Sequence, residues 1–96
     1  MEEEIQRRRL DISGRVQGVG FRWRARHAAG ATGATGWVQN NPDGSVSMEL
    51  QGTEAQIDRV IRILEQGRYI EIEEMRVKKL PVIPEERQFV TRDDRW

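Results

Sequence analysis

Gly14-Arg15-Val16-Gln17-Gly18-Val19-Gly20-Phe21-Arg22 holds the residue types that can do chemistry. Glycine reaches φ > 0 without steric cost and lets the backbone come close to a ligand. Successive N–H groups in such a run can converge on one point and form an anion-binding nest. A helix starting near Phe21 would add unpaired donors and the positive end of its dipole. Arg22 follows with a planar, permanently charged fork that fits phosphate oxygens. The stretch reads as a phosphate cradle with a cationic clamp at one lip. It is neither common phosphate loop: no lysine stands where a P-loop needs one, and Trp23 stands where a dinucleotide fingerprint needs Gly or Ala. Glycine spacing alone leaves an ordinary strand-to-helix turn open.

A second stretch, Gly36-Trp37-Val38-Gln39-Asn40, leads into Asn41-Pro42-Asp43-Gly44-Ser45-Val46. Together the two stretches resemble the acylphosphatase family, with its Gly-Arg-Val-Gln-Gly-Val-x-Phe-Arg loop and Gly-Trp-Val-x-Asn strand. The resemblance runs from about Arg9 to Arg92. It implies hydrolysis of carboxyl-phosphate mixed anhydrides without metal or cofactor, with inorganic phosphate as product and inhibitor. It makes Arg22 the phosphate-binding catalytic arginine and Asn40 the residue that orients the attacking water. Backbone N–H groups of Arg15, Val16, Gln17, Gly18, Val19 and Gly20 are then the cradle. An amide carries one acceptor and two donors, so Asn40 can hold a water without titrating. No general base is evident, and by resemblance the substrate's own phosphate takes the proton. Asn41 falls on the other face of its strand and belongs to the turn.

The elements that must position these residues follow from pattern. Leu10 and Ile12 alternate with Asp11 and Ser13, the period of a half-buried strand. A helix is expected over 21–32, with Gly30 inside it at a cost of about 1 kcal/mol. Its later apolar residues are all alanines, and Thr32 and Ala34 stand where the family commonly has larger aliphatics. Either this helix lies very close to the sheet or the core is underfilled. His27 reads as a surface residue with no triad partner. Trp37 points away from Val38 and Asn40 and reads as packing. Pro42-Asp43-Gly44 joins two strands, one over 37–41 and one over 45–51, as a hairpin. Thr53 to Gln56 is a capping box, followed by Ile57, Val60, Ile61 and Leu64 at helical spacing, with Gly67 as the stop. A strand follows over 69–80 with a bulge or a loop entry near Glu73, then a short last strand over 88–92 with Phe89 or Val90 inward.

That order is an α+β, ferredoxin-like split βαβ sandwich, βαββαβ plus a short C-terminal strand: an antiparallel sheet with two helices on one face. The expected layout is a charged, flexible leader over 1–8, one acylphosphatase-like domain over 9–92 and a frayed tail over 93–96.

Ninety-six residues suit one small domain. Sixteen acids balance sixteen bases, fourteen of them arginine. Net charge therefore draws the chain to neither nucleic acid nor membrane. There is no cysteine and one histidine, which excludes disulfides, thiolate catalysis and a histidine-built metal site. No apolar run reaches membrane-span length. A cytoplasmic monomer is expected. Two rivals remain: a module that binds phosphate or carbamoyl phosphate with little or no turnover, and an RNA-binding ferredoxin-like domain. The second would need stacked aromatics on the central strands, and Ser45-Val46-Ser47-Met48-Glu49-Leu50-Gln51 offers none.

Overall fold

The computed structural model describes residues 3–92. Its order is β1 (Ile5–Arg15), α1 (Phe21–Thr32), β2 (Thr35–Asn40), β3 (Val46–Thr53), α2 (Glu54–Glu65), β4 (Glu71–Leu80) and β5 (Phe89–Thr91). The sheet runs β4-β1-β3-β2-β5. The first four strands pair antiparallel, as expected.

β5 departs from the antiparallel expectation by lying parallel to β2. The reason is where β4 ends. Leu80 pairs with Arg7, near the start of β1, at the end of the sheet where β2 also begins. A strand entering from that end runs alongside β2.

Val46, Met48 and Leu50 of β3 join Leu10, Ile12 and Val38 under the two helices. α2 adds Ile57, Val60 and Leu64, all fully buried. Its capping box is complete: Thr53 Oγ1 accepts from the Gln56 N–H, and Gln56 Oε1 accepts from the Thr53 N–H. The same Gln56 donates Nε2 to the Thr32 carbonyl, tying the start of α2 to the end of α1.

α1 buries Phe21, Ala25, Ala28 and Ala29. The alanines reach the core, but a groove of about 330 Å³ remains beside them, lined by Ala29, Gly30, Ala34 and Phe89 among others. Gly30 is exposed, and a Cβ there would meet nothing within 4 Å. Gly30→Ala is therefore expected to stabilise by about 0.4–1 kcal/mol, chiefly through the unfolded chain. Melting temperature should rise by about 2–8 °C. A fall would contradict this.

Of the bulge or loop entry expected near Glu73, the structure has the bulge: Ser13 pairs with Glu74, and Gly14 with Ile72, so Glu73 is the extra residue. Gly14 sits at φ 126° against it, and a Cβ would strike the Glu71 carbonyl oxygen.

Residues 5–8, expected in a flexible leader, form the start of β1 instead. They can do so because each arginine meets a carboxylate and lays its stem on the sheet. Arg8 reaches Asp58 on the helix side at 3.0 Å. Arg7 turns to the opposite, open face and is 2% exposed. It donates to Glu49 at 2.7 Å, Glu86 at 2.8 Å and Gln51 at 3.1 Å. Burial opposes its charge, but the hydrogen bonds it donates to Glu86 and Glu49, with the charges of both carboxylates, more than offset this and raise its pKa. Gln51 exchanges two hydrogen bonds with the Ile83 backbone, both 2.8 Å. Arg7 and Gln51 thereby hold the segment over 81–88 as it crosses the open face from β4 to β5. Residues 93–96, expected as a tail, lie outside the described residues.

Trp37 also lies on the open face, 7% exposed, with Arg92 at 3.9 Å and Arg9 at 5.4 Å from its ring centre. It packs under two guanidinium groups rather than facing a ligand. Nearby, Asp11 accepts from Ser47 at 2.9 Å and from Arg9 at 3.3 Å. Burial pushes the Asp11 pKa up, yet Arg9, Ser47 and the charge of Arg76 hold it below its ordinary 3.8. A depressed native pKa gives stability that is present above the unfolded value and lost as pH falls through the native one. The melting temperature should accordingly drop below about pH 4. Asp11→Asn should drop less steeply there. Parallel decline in the two proteins would remove Asp11 from the cause.

Candidate active site

β1 feeds into the glycine loop, and the loop feeds into α1. Gly18 and Gly20 take φ 71° and 79°, the left-handed region that side chains other than glycine rarely adopt. Open space surrounds both Cβ positions, so the backbone conformation itself calls for glycine. Gly20 is the N-cap of α1. No side chain caps that helix, and no acid stands in its first turn. The positive end of its dipole thus favours an outside anion.

Val16, Gly18, Gly20, Phe21, Arg22, Trp23 and Asn40 surround one cavity of about 210 Å³. Arg22 is half-buried on its wall, and Asn40, 9% exposed, comes up from the end of β2. Among the buried side-chain polar atoms of the described residues, Asn40 Oδ1 is the one without a hydrogen-bond partner. It lines the cavity beside a helix N-terminus, where a donor such as water can reach it.

Of the expected cradle, the cavity gathers Val16, Gly18 and Gly20. Arg15, the last residue of β1, is exposed. Val19 packs against the core. Gln17 turns its side chain to the hairpin and donates Nε2 to the carbonyls of Asn41 at 2.7 Å and Ser45 at 2.8 Å. It braces the loop against the hairpin that carries Asn40. Asn41 belongs to the turn: its Nδ2 donates to Ser45 at 3.0 Å and Ser47 at 2.8 Å. Phe21 lines the cavity without having been singled out, and Trp23 lines it as the loop-adjacent side chain that the sequence offers for its rim. Phe21 is part of the loop motif itself, and the position of Trp23 next to Arg22 was the available signal.

A larger cavity, about 610 Å³, opens on the other face between Asp11, Asp43, Glu74 and Arg76. Three carboxylates against one arginine would repel a doubly charged phosphoryl group. Size does not decide the site; the smaller cavity has the donors.

A family model for acylphosphatases matches residues 8–91. The chain belongs to the acylphosphatase family. The acylphosphatase of Geobacillus thermodenitrificans is 42% identical over 79 residues, covering 81% of this chain and 84% of its own. That of Clostridium acetobutylicum is 36% identical over 86 residues, covering 88% and 94%. The crystal structure of the acylphosphatase from Bacillus subtilis superposes with a TM-score of 0.84 at 26% identity, over 92% of this chain and 99% of that one. A full-length HypF in the phosphate- and nucleotide-bound form gives a TM-score of 0.86 at 30% identity. That match covers 98% of this chain but 12% of the HypF chain. No helix among the described residues of this acylphosphatase-family chain is long and apolar enough to cross a membrane.

Proposed function

We propose that this acylphosphatase-family enzyme hydrolyses acyl phosphates in the cavity between the glycine loop, α1 and Asn40. The loop backbone and the N-terminal turn of α1 hold the phosphoryl oxygens. Arg22 grips them with two donors and balances the charge of the transition state. Asn40 Oδ1 accepts from a water and aims its oxygen at phosphorus. The water oxygen bonds to phosphorus as the bond to the acyl oxygen breaks. The carboxylate leaves with that electron pair, and the water's protons end on phosphate oxygens. A dianionic acyl phosphate and water give one carboxylate and one dihydrogen phosphate, so charge and atoms balance. Positioning provides most of the catalysis, because a carboxylate is already a good leaving group.

The observation that carries this reading is the partnerless, buried Asn40 Oδ1 in the same cavity as Arg22 and an uncapped helix N-terminus. A binding module without turnover is the rival. Relatives that this chain matches over most of their length favour the hydrolase. We read it further as a cytoplasmic monomer that works without metal or cofactor.

Release of phosphate from acetyl phosphate, with excess chelator present, tests the reading. Continued hydrolysis, competitively inhibited by inorganic phosphate, is expected. Binding of carbamoyl phosphate or acetyl phosphate without turnover would favour the module. Activity lost to chelator and restored by a divalent cation would reject the metal-free mechanism.

A further inference from the structure

Trp23 is 63% exposed, yet it lines the cavity with Arg22 and Asn40. Single exposed aromatics are common on protein surfaces and by themselves mean little. This one is held in place. Its ring stacks on His27, centre to centre 3.7 Å, with the planes 25° apart. The His27 ring is itself fixed, since Nδ1 lies 2.8 Å from the Trp23 carbonyl oxygen one helical turn back. A carbonyl only accepts, so Nδ1 carries the proton. The stack costs little ordering at the moment of binding, because both rings are already oriented.

In-line displacement fixes where the acyl group must go. Nucleophile and leaving group lie on opposite sides of phosphorus. Asn40 is 9% exposed and sits deep, whereas Trp23 is at the open rim. Water held by Asn40 therefore approaches from the floor, and the acyl group points out past Trp23. A flat apolar acyl group there can lie against the indole, whereas an acetyl methyl covers little of it.

Resting on the site reading above, we infer that the Trp23–His27 stack is an acyl-group platform that makes the enzyme favour acyl phosphates with flat aromatic acyl groups over small aliphatic ones. Trp23 is the specificity-determining residue, and His27 is a positioning residue that acts through it.

The test compares kcat/KM for benzoyl phosphate and acetyl phosphate in the parent, Trp23→Ala, Trp23→Phe and His27→Ala. An aromatic contact of this kind supports roughly a 3- to 10-fold preference. Trp23→Ala should lower the benzoyl-to-acetyl ratio by about that factor, mostly through KM. Trp23→Phe should retain most of the ratio. His27→Ala should lower it part of the way, and His27→Tyr, which restores a stacking ring, should recover it. The inhibition constant of inorganic phosphate, which has no acyl group, should stay near the parent's in all four variants. An unchanged ratio in Trp23→Ala, or equal losses on both substrates, would overturn the platform while leaving the hydrolase reading intact. A parent that turns over neither substrate would overturn both.

Discussion

Asn40→Ala lowers kcat by about 10²–10³-fold, the usual loss for one positioned group in a reaction driven by electrostatics and orientation. Inorganic phosphate still inhibits at nearly the parent concentration, because the loop backbone and Arg22 are untouched. A third readout sharpens this. The Oδ1 of Asn40 makes no hydrogen bond to a described protein group, so its removal breaks no such contact. Removing it should leave the melting temperature unchanged or higher, so that activity and stability move apart. Loss of phosphate binding in step with turnover would place Asn40 in the cradle and contradict its role on the water. Arg22→Lys is the complementary change. It keeps the charge and loses the planar fork, so binding of phosphate and turnover should both fall. Asn41→Ala should act mainly on stability, since its amide bridges Ser45 and Ser47 inside the turn.

Arg7→Ala has the largest expected effect on folding. It removes one guanidinium from two carboxylates that are only 14% and 17% exposed, Glu49 and Glu86. Arg9 reaches Glu49 at 3.6 Å and compensates only one of them. Breaking a buried ion pair from one side costs about 3–5 kcal/mol, because a charge is left behind in a poorly solvated place. A chain of this length has about 5–14 kcal/mol in all. The midpoint of urea unfolding should fall accordingly. Arg7→Met combined with Glu86→Leu should recover part of the loss, since replacing both partners by apolar groups avoids the stranded charge. A cost below about 1 kcal/mol for Arg7→Ala would mean that the cluster behaves as a solvent-screened surface pair.

Arg7 also shows where sequence reading ends. The apolar alternation of Leu10 and Ile12, the capping box at Thr53 and the bulge at Glu73 are local patterns, and the structure has all three. The basic run before Leu10 has no local pattern that separates a solvated segment from a central strand. Its partners, Glu49 and Glu86, lie 42 and 79 residues away. The direction of β5 is of the same kind, since it depends on which end of the sheet Leu80 leaves. The glycine loop and Asn40 were legible because motif residues carry their own geometry: positive φ at Gly18 and Gly20, and strand parity that puts Asn40 with Val38 and against Trp37. What the motif does not encode is how the loop is braced. Gln17 reads as one more cradle residue, and only the fold shows its side chain fastened to the hairpin. The Trp23–His27 stack needs the helix phase and the rotamers together.

In the mechanism proposed above, a water held by Asn40 attacks phosphorus in the glycine-loop cradle. Hydrolysis in water enriched in oxygen-18, with the label located by mass spectrometry, tests it most directly. Label is expected in inorganic phosphate and none in the carboxylate. Label in the carboxylate would show attack at the acyl carbon, which a phosphate cradle with water behind phosphorus does not permit.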